Sequence, residues 1–296
     1  MREHGLLPDC ILQSSQSFRL FLCGGFSGAV ARTATAPLER IKLLFQVQAI
    51  ASSVAASQSY AYIGIGQTAA KIYREEGLRA FWKGNGTNVV RIFPYSAVQF
   101  SANEKYKALL GSQDGSLTVA QRLTAGAFAG MSAVAVTHPL DVIRLRLSLP
   151  NTSYTGMIDA LVTIVSTEGG LSLYRGFAPA LIGTAPFAAL NFASYDLLKK
   201  YLFDADTRPS TAGTLGLGAA SGLLASSVCF PLDTVRRQMQ MRACTYTSQA
   251  HAFATIWNRE GYRGFYRGWT ANALKVLPQN SLRFATYEAL KTLLGV

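Results

Sequence analysis

Six acid–base pairs recur at fixed spacing along the chain, and they are the residues best equipped for chemistry. Three follow prolines: Glu39/Lys42 after Pro37, Asp141/Arg144 after Pro139 and Asp233/Arg236 after Pro231. The other three are Glu104/Lys107, Asp196/Lys199 and Glu288/Lys291, with the acids 92 residues apart each time. Repeated acid–base pairs with no nucleophile beside them suit ion pairing rather than catalysis. His4, His138 and His251 are scattered, and no Walker loop, nucleophile elbow or metal-ligand cluster is present. No catalytic residue, cofactor or metal is therefore expected.

An acid and a base three apart on one helix can pair locally, for roughly 0.2–0.5 kcal/mol. Three copies permit another arrangement, in which each acid meets the base of a neighbouring copy and a ring of ion pairs closes. The spacing allows both; the threefold repetition favours the ring, because a charge held in an apolar layer without a partner is too costly to keep. Gln46 and Gln240 lie four residues after Lys42 and Arg236, where an amide could brace two of the pairs, and Ser148 takes that place in the second copy. One such ring at each end of a bundle would form two gates.

Between the pairs, one depth breaks the symmetry. Arg91, Gly183 and Lys275 are 92 residues apart, so two cations and a glycine occupy equivalent places. Arg and Lys suit phosphate, whereas Gly183 with Thr184 leaves room for a flat ring on which Phe187 could stack. Arg32, whose counterparts are Val134 and Ser226, and Arg283 add unmatched cations. An anion carrying both phosphate and a planar base, a nucleotide, fits this set. Gln99, Asn103, Asn191 and Asn280 suit either polar contact with such a ligand or hydrogen-bonded packing.

The elements that must position these residues repeat as well. Each proline-led segment is followed by an acidic-glycine element: Glu76-Gly77 to Trp82-Lys83-Gly84, Glu168-Gly169 to Tyr174-Arg175-Gly176 and Glu260-Gly261 to Tyr266-Arg267-Gly268. The chain thus divides into a tail over 1–16 and three repeats over 17–112, 113–206 and 207–296. Ten extra residues in the first copy fall within Ala49–Tyr62, whose Ala/Ser-rich part around Ala51–Ser59 is read as a loop. In each repeat a long helix (17–48, 118–149, 211–242) precedes a short amphipathic surface helix near Gln67–Glu75, Ile158–Thr167 or Phe253–Arg259. A second long helix (85–110, 177–202, 269–294) follows. Apolar residues continue past Pro37, Pro139 and Pro231, so kinks rather than helix ends are expected there.

Only 15% of the 296 residues are charged, against ~25% in ordinary soluble domains. Uncharged runs over 123–140, 176–195 and 209–232 are long enough to cross a ~30 Å hydrocarbon layer. The other three long helices carry internal charges, as helices lining a wet cavity do. The fold class is therefore all-α membrane protein, six spans in three pseudo-threefold repeats. Small pairs (Gly24/Gly28, Gly126/Gly130, Gly218/Gly222) would let the first helix of each repeat pack closely. The net charge of +12 suits loops on one side of the membrane, anionic lipid such as cardiolipin, or an anionic substrate. Basic residues spread in threefold fashion argue against nucleic acid. Cys10, Cys23, Cys229 and Cys244 show no metal or redox spacing. The segment 1–16 has neither transit-peptide nor secretory character, so any organelle address is expected inside the repeats or in sequence upstream of Met1.

In all three repeats these motifs, Pro-x-acid-x-x-base and then acid-Gly-x4-aromatic-base-Gly, resemble those of the mitochondrial carrier family. The resemblance runs from about Ser17 to the end. It implies a monomeric six-helix carrier with a matrix-side gate at the proline pairs and a cytoplasmic-side gate at the outer pairs. It also implies exchange transport and substrate contacts at Arg91, Gly183–Thr184 and Lys275. Arg236-Arg237-Gln238-Met239-Gln240-Met241, with the run at 139–147, is most similar to plant thylakoid-type ADP/ATP carriers, which also handle the sulfonucleotide PAPS. Related branches take coenzyme A or ATP-Mg/phosphate, and an uncoupling protein would share the fold. Either a mitochondrial inner membrane or a plastid membrane is consistent with this resemblance.

Overall fold

The computed structural model describes residues 6–54, 64–111, 118–150, 152, 154–202, 210–241 and 246–293, and among them every regular element is a helix. In chain order these are α1 (Leu6–Ala34), α2 (Ala36–Val54), α3 (Ile65–Glu76), α4 (Asn85–Val90) and α5 (Ile92–Leu110) in the first repeat. The second repeat holds α6 (Val119–Ser148), α7 (Met157–Glu168) and α8 (Phe177–Leu202), and the third α9 (Thr211–Met239), α10 (Gln249–Phe265) and α11 (Trp269–Leu293). The first helix differs from expectation at both ends. It begins at Leu6, inside the segment read as a tail, and α2 continues to Val54, into the insert read as a loop; residues 55–59 of that insert lie outside the described residues.

The prolines do not end their helices. Pro139, Pro186, Pro231 and Pro278 lie within α6, α8, α9 and α11. Pro37 interrupts most: α1 and α2 part at Thr35, yet Thr35 N–H donates to Ala31 and Glu39 N–H to Thr35, so the chain stays helical across the break. A proline removes one hydrogen bond and clashes a turn back, so a bend is expected at each of them. Beyond the bends α2, α6 and α9 converge, and Leu43, Val47, Leu145 and Met241 form a buried plug where they meet.

Three satellite cores surround the plug. The short helices α3, α7 and α10 each pack an apolar stripe under the bent end of their own repeat. Ile72, Ile164 and Ile256, spaced 92 residues apart, sit beside Ile41, Ile143 and Val235 respectively. Elsewhere large apolar side chains face outward: Phe26, Phe100, Val136, Ile182, Phe192, Val228 and Leu277 are exposed on the long helices. An apolar girdle of this kind is stable only against lipid. α6, α8 and α9 include spans long and apolar enough to cross a membrane by themselves; the inward charges come from α2, α6 and α9 beyond the prolines and from Arg91 and Lys275.

The glycine closing each acidic-glycine element has a structural duty. Gly84, Gly176 and Gly268 have φ of 79°, 75° and 86°. A Cβ there would lie 2.8, 2.8 and 2.9 Å from the carbonyl oxygens of Arg144, Arg236 and Lys42. Each glycine therefore seats against the backbone of a proline-segment base in the next repeat, and only glycine satisfies both the conformation and the approach.

Candidate functional site

The charges beyond the three bends close a ring between repeats. Arg144 donates to Glu39 at 2.9 Å, Arg236 to Asp141 at 2.5 Å and Lys42 to Asp233 at 2.8 Å. Of the two arrangements the spacing allowed, pairing is thus inter-repeat. Gln46 Nε2 braces one link, donating to Asp233 at 3.1 Å. Gln240 does not: its Oε1 accepts from Arg237 at 3.2 Å, because the third repeat carries Arg237 where the first two carry Leu43 and Leu145. Ser148 is also no brace, since its hydroxyl donates to the Arg144 carbonyl at 2.8 Å.

Two cations anticipated as ligand contacts also reach down onto this ring. Arg91 pairs with Asp141, and its guanidinium lies 5.4 Å from the Tyr95 ring centroid. Lys275 pairs with Glu39 at 2.5 Å. Asp141 and Glu39 therefore each carry two bases from other repeats. Asp233 has Lys42 and, at 3.7 Å, Arg237 of its own helix.

A cavity of about 460 Å³ opens above the ring, within the ~300–1,000 Å³ usual for small-molecule sites. Arg91, Lys275, Lys42 and Arg236 supply its cations, and Gly183, Thr184 and Phe187 form part of its wall, with Tyr95 and Asn280. Lys42 Nζ lies 5.3 Å above the Phe230 ring, which lines the same floor. Arg32 and Arg283 are not in this lining. Arg32 instead donates to Asn88, 3.2 Å from its side-chain oxygen, just as Asn272 meets Ser226 at 2.7 Å in the third repeat. That position ties two helices of one repeat, so the Arg32 guanidinium is directed to its neighbour helix.

At the opposite end no second ring closes. Among the described residues Lys107 meets Glu104 of its own helix at 3.1 Å, and no ion pair joins Asp196, Lys199, Glu288 or Lys291 to another repeat. Among the described residues, ion pairs between repeats close the end beyond the prolines and none joins repeats at the other.

Beneath the ion pairs lies a layer with no counterpart in the sequence reading. Arg40 Nε donates to the Ser148 carbonyl at 3.0 Å, Arg146 Nε to the Gln240 carbonyl at 3.4 Å and Gln238 Nε2 to the Gln46 carbonyl at 3.1 Å. The acceptors are the ninth residues after the three prolines, so this too is a threefold clasp between repeats. Arg40 and Arg146 are held from behind by Glu76 and Glu168. The one available signal was the presence of basic residues at positions whose helical neighbours are apolar.

A helical bundle with threefold internal repetition, a lipid-facing girdle, one closed charge ring and a cationic cavity open on the other side defines a membrane carrier. The family model "Mitochondrial carrier protein" matches the chain three times, over residues 13–114, 115–206 and 207–296, and the chain belongs to that family, whose fold is a six-span helical bundle. It is 44% identical over 276 residues to "Probable envelope ADP,ATP carrier protein, chloroplastic" of Arabidopsis thaliana, covering 93% of this chain and 71% of the relative. It is 42% identical to "Thylakoid ADP,ATP carrier protein, chloroplastic" of the same plant, covering 93% and 66%. A mitochondrial coenzyme A transporter of Xenopus tropicalis is 36% identical, covering 98% and 91%. The chain thus spans about two thirds of the length of the two plant relatives.

Proposed function

We propose that the protein exchanges adenine nucleotides, ATP against ADP, across an organelle membrane by alternating access to its central cavity. The observation that carries this reading is the pairing of four cations on the cavity floor with a glycine–threonine–phenylalanine wall. Phosphates would engage the cations and the base would lie against the wall. The two plant relatives, named for ADP,ATP transport, support it. In this account the proline pairs are the gate closed here, and the outer pairs close the other gate when the carrier turns over. The protein acts as a transporter rather than an enzyme, works as a monomer, and its outer surface of apolar side chains and peripheral bases meets anionic lipid. Mitochondrial inner membrane and plastid membrane are both compatible with it, as the names of the relatives illustrate.

The test is uptake of labelled ATP by liposomes holding the purified protein and loaded with ADP. Unlabelled ADP should compete strongly and malate should not. Robust exchange of coenzyme A, PAPS, phosphate or a dicarboxylate without ATP/ADP exchange would overturn the substrate while leaving the fold intact. A proton leak without exchange would place the protein among uncouplers.

A further inference from the structure

The three surface helices are equivalent by repeat but not by the face they turn outward. Ile158 and Val162 of α7 are 72% and 60% exposed, where α3 has Gly66 and Ala70 and α10 has Ala250 and Ala254. Leu171, just past α7, is 88% exposed and takes the place of Arg79 and Arg263. The exposed pair Ser166–Thr167 stands where the first repeat exposes Arg74–Glu75 and the third Asn258–Arg259. Both charges within α7 are already engaged. Asp159 accepts from the Thr155 N–H at 2.9 Å, and Glu168 pairs with Arg146 at 2.5 Å. Among the described residues of α7, none that is exposed carries a charge. One surface helix in three therefore turns a bulky, uncharged face outward.

That face runs on into the girdle. Leu171 and Tyr174 carry exposed apolar surface through the turn between α7 and α8, and Ala178 and Ile182 continue it one turn apart on α8. Tyr174 also stacks on His138 of α6, two residues beyond the exposed Val136. Ile182 and Val136 are girdle residues, so the face of α7 is continuous with the surface that meets lipid. Such a patch is covered at least cost by more of the same lipid, whereas a protein seated there would meet acyl chains along one edge. We infer that α7 is sunk among the acyl chains, its outward face ~5–10 Å into the boundary between headgroups and chains. α3 and α10, with Arg74, Arg79, Arg259 and Arg263 outward, lie at the level of the charged headgroups instead. The lipid seat reaches inward as well. α7 ends at Glu168, whose partner Arg146 is one of the clasp donors beneath the ring, so lipid packing on α7 bears on that layer.

Spin labels read the depth directly. In a background with Cys10, Cys23, Cys229 and Cys244 replaced by alanine, Ala70→Cys, Val162→Cys and Ala254→Cys each place one nitroxide at the same point of a surface helix. The purified proteins are reconstituted into liposomes of phosphatidylcholine with cardiolipin. Collision with oxygen, relative to collision with a water-soluble nickel chelate, should be severalfold higher at 162 than at 70 or 254. Equal ratios at the three positions would overturn the inference. A label at 162 that neither reagent reaches would overturn it too, because protein would then cover the face. In a purified preparation that cover is a second copy of this chain, and dilution below one copy per vesicle would expose the label. If any of these variants does not fold, the unmodified protein decides the matter. An aryl diazirine dissolved in the bilayer and photolysed should label peptides from 158–171 severalfold more than those from 66–79 and 250–263, and equal labelling would refute the lipid seat. Both measurements are made without substrate, so their outcome is independent of whether the protein exchanges nucleotides.

Discussion

At the scale of single residues, Glu39 and Asp141 each pair with two bases from other repeats and Asp233 with one, and reversal of a pair should reveal it. Removing one partner of a buried ion pair typically costs ~3–5 kcal/mol, because the other is stranded. Lys42→Asp or Asp233→Lys alone should therefore abolish exchange, and the two together should restore a substantial part. The reversal Asp141→Arg with Arg236→Asp should restore less, since the new arginine faces Arg91, which now pairs with Asp141. Exchange rates of the four single and two double variants in liposomes check this order. Equal recovery by both doubles would mean that Arg91 does not bear on Asp141. That neighbour relation was not legible in the sequence. Arg91 and Lys275 stood out as unmatched cations, but an isolated side chain can serve a ligand or a carboxylate, and spacing does not distinguish them. Arg32 shows the same limit: lack of a matching charge marked it, while its actual partner, Asn88, is a polar side chain of the adjacent helix.

Helices and loops set the next level. The acidic-glycine elements look in sequence like surface punctuation, yet their last glycines are contact points between repeats. Gly176→Ala should force a left-handed residue to carry a Cβ 2.8 Å from the Arg236 carbonyl. Strain of ~1–3 kcal/mol follows from the backbone alone, and the clash adds to it. The thermal midpoint should fall by several degrees, whereas Gly86→Ala, in α4 with nothing within 4 Å of its Cβ, should leave it nearly unchanged. A fall in both, or in neither, would refute the seating role. The long helices, their continuation through the prolines and the surface helices were readable because a 92-residue period places like beside like. Helix ends in the first repeat were less so: its ten extra residues remove the comparison that fixed the other two.

For the whole molecule, a charge ring closed at one end, with no ion pair between repeats at the other among the described residues, should leave the cavity reachable from a single side of the membrane. Cys229 lines the cavity, whereas Cys23 is fully buried. In a background with Cys10 and Cys244 replaced by serine, a membrane-impermeant maleimide should modify Cys229 from the open face and spare Cys23. Saturating ADP should slow that reaction. Labelling at equal rates from both faces in a protein held in this state would contradict the closed ring. The sequence carried the repeat and the charges that close the bent end, since both are written in side chains. It could not say which gate is shut, because one chain encodes both states and a sequence holds no record of their populations.

The clasp beneath the ring has a consequence for how such a protein can change over generations. Its acceptors are main-chain carbonyls at Gln46, Ser148 and Gln240. Every amino acid presents a carbonyl, so no point mutation deletes an acceptor, and the clasp itself asks nothing of these three side chains, which are held by other bonds: Gln46 to Asp233, Ser148 to the Arg144 carbonyl and Gln240 to Arg237. The donors differ: Arg40, Arg146 and Gln238 each hold one third of the layer through their side chains. Within the clasp, constraint thus falls on one partner of each bond. Two different residues at the acceptor positions already coexist in this chain, and the donors have settled on two chemistries and on two heights along their helices without opening the layer.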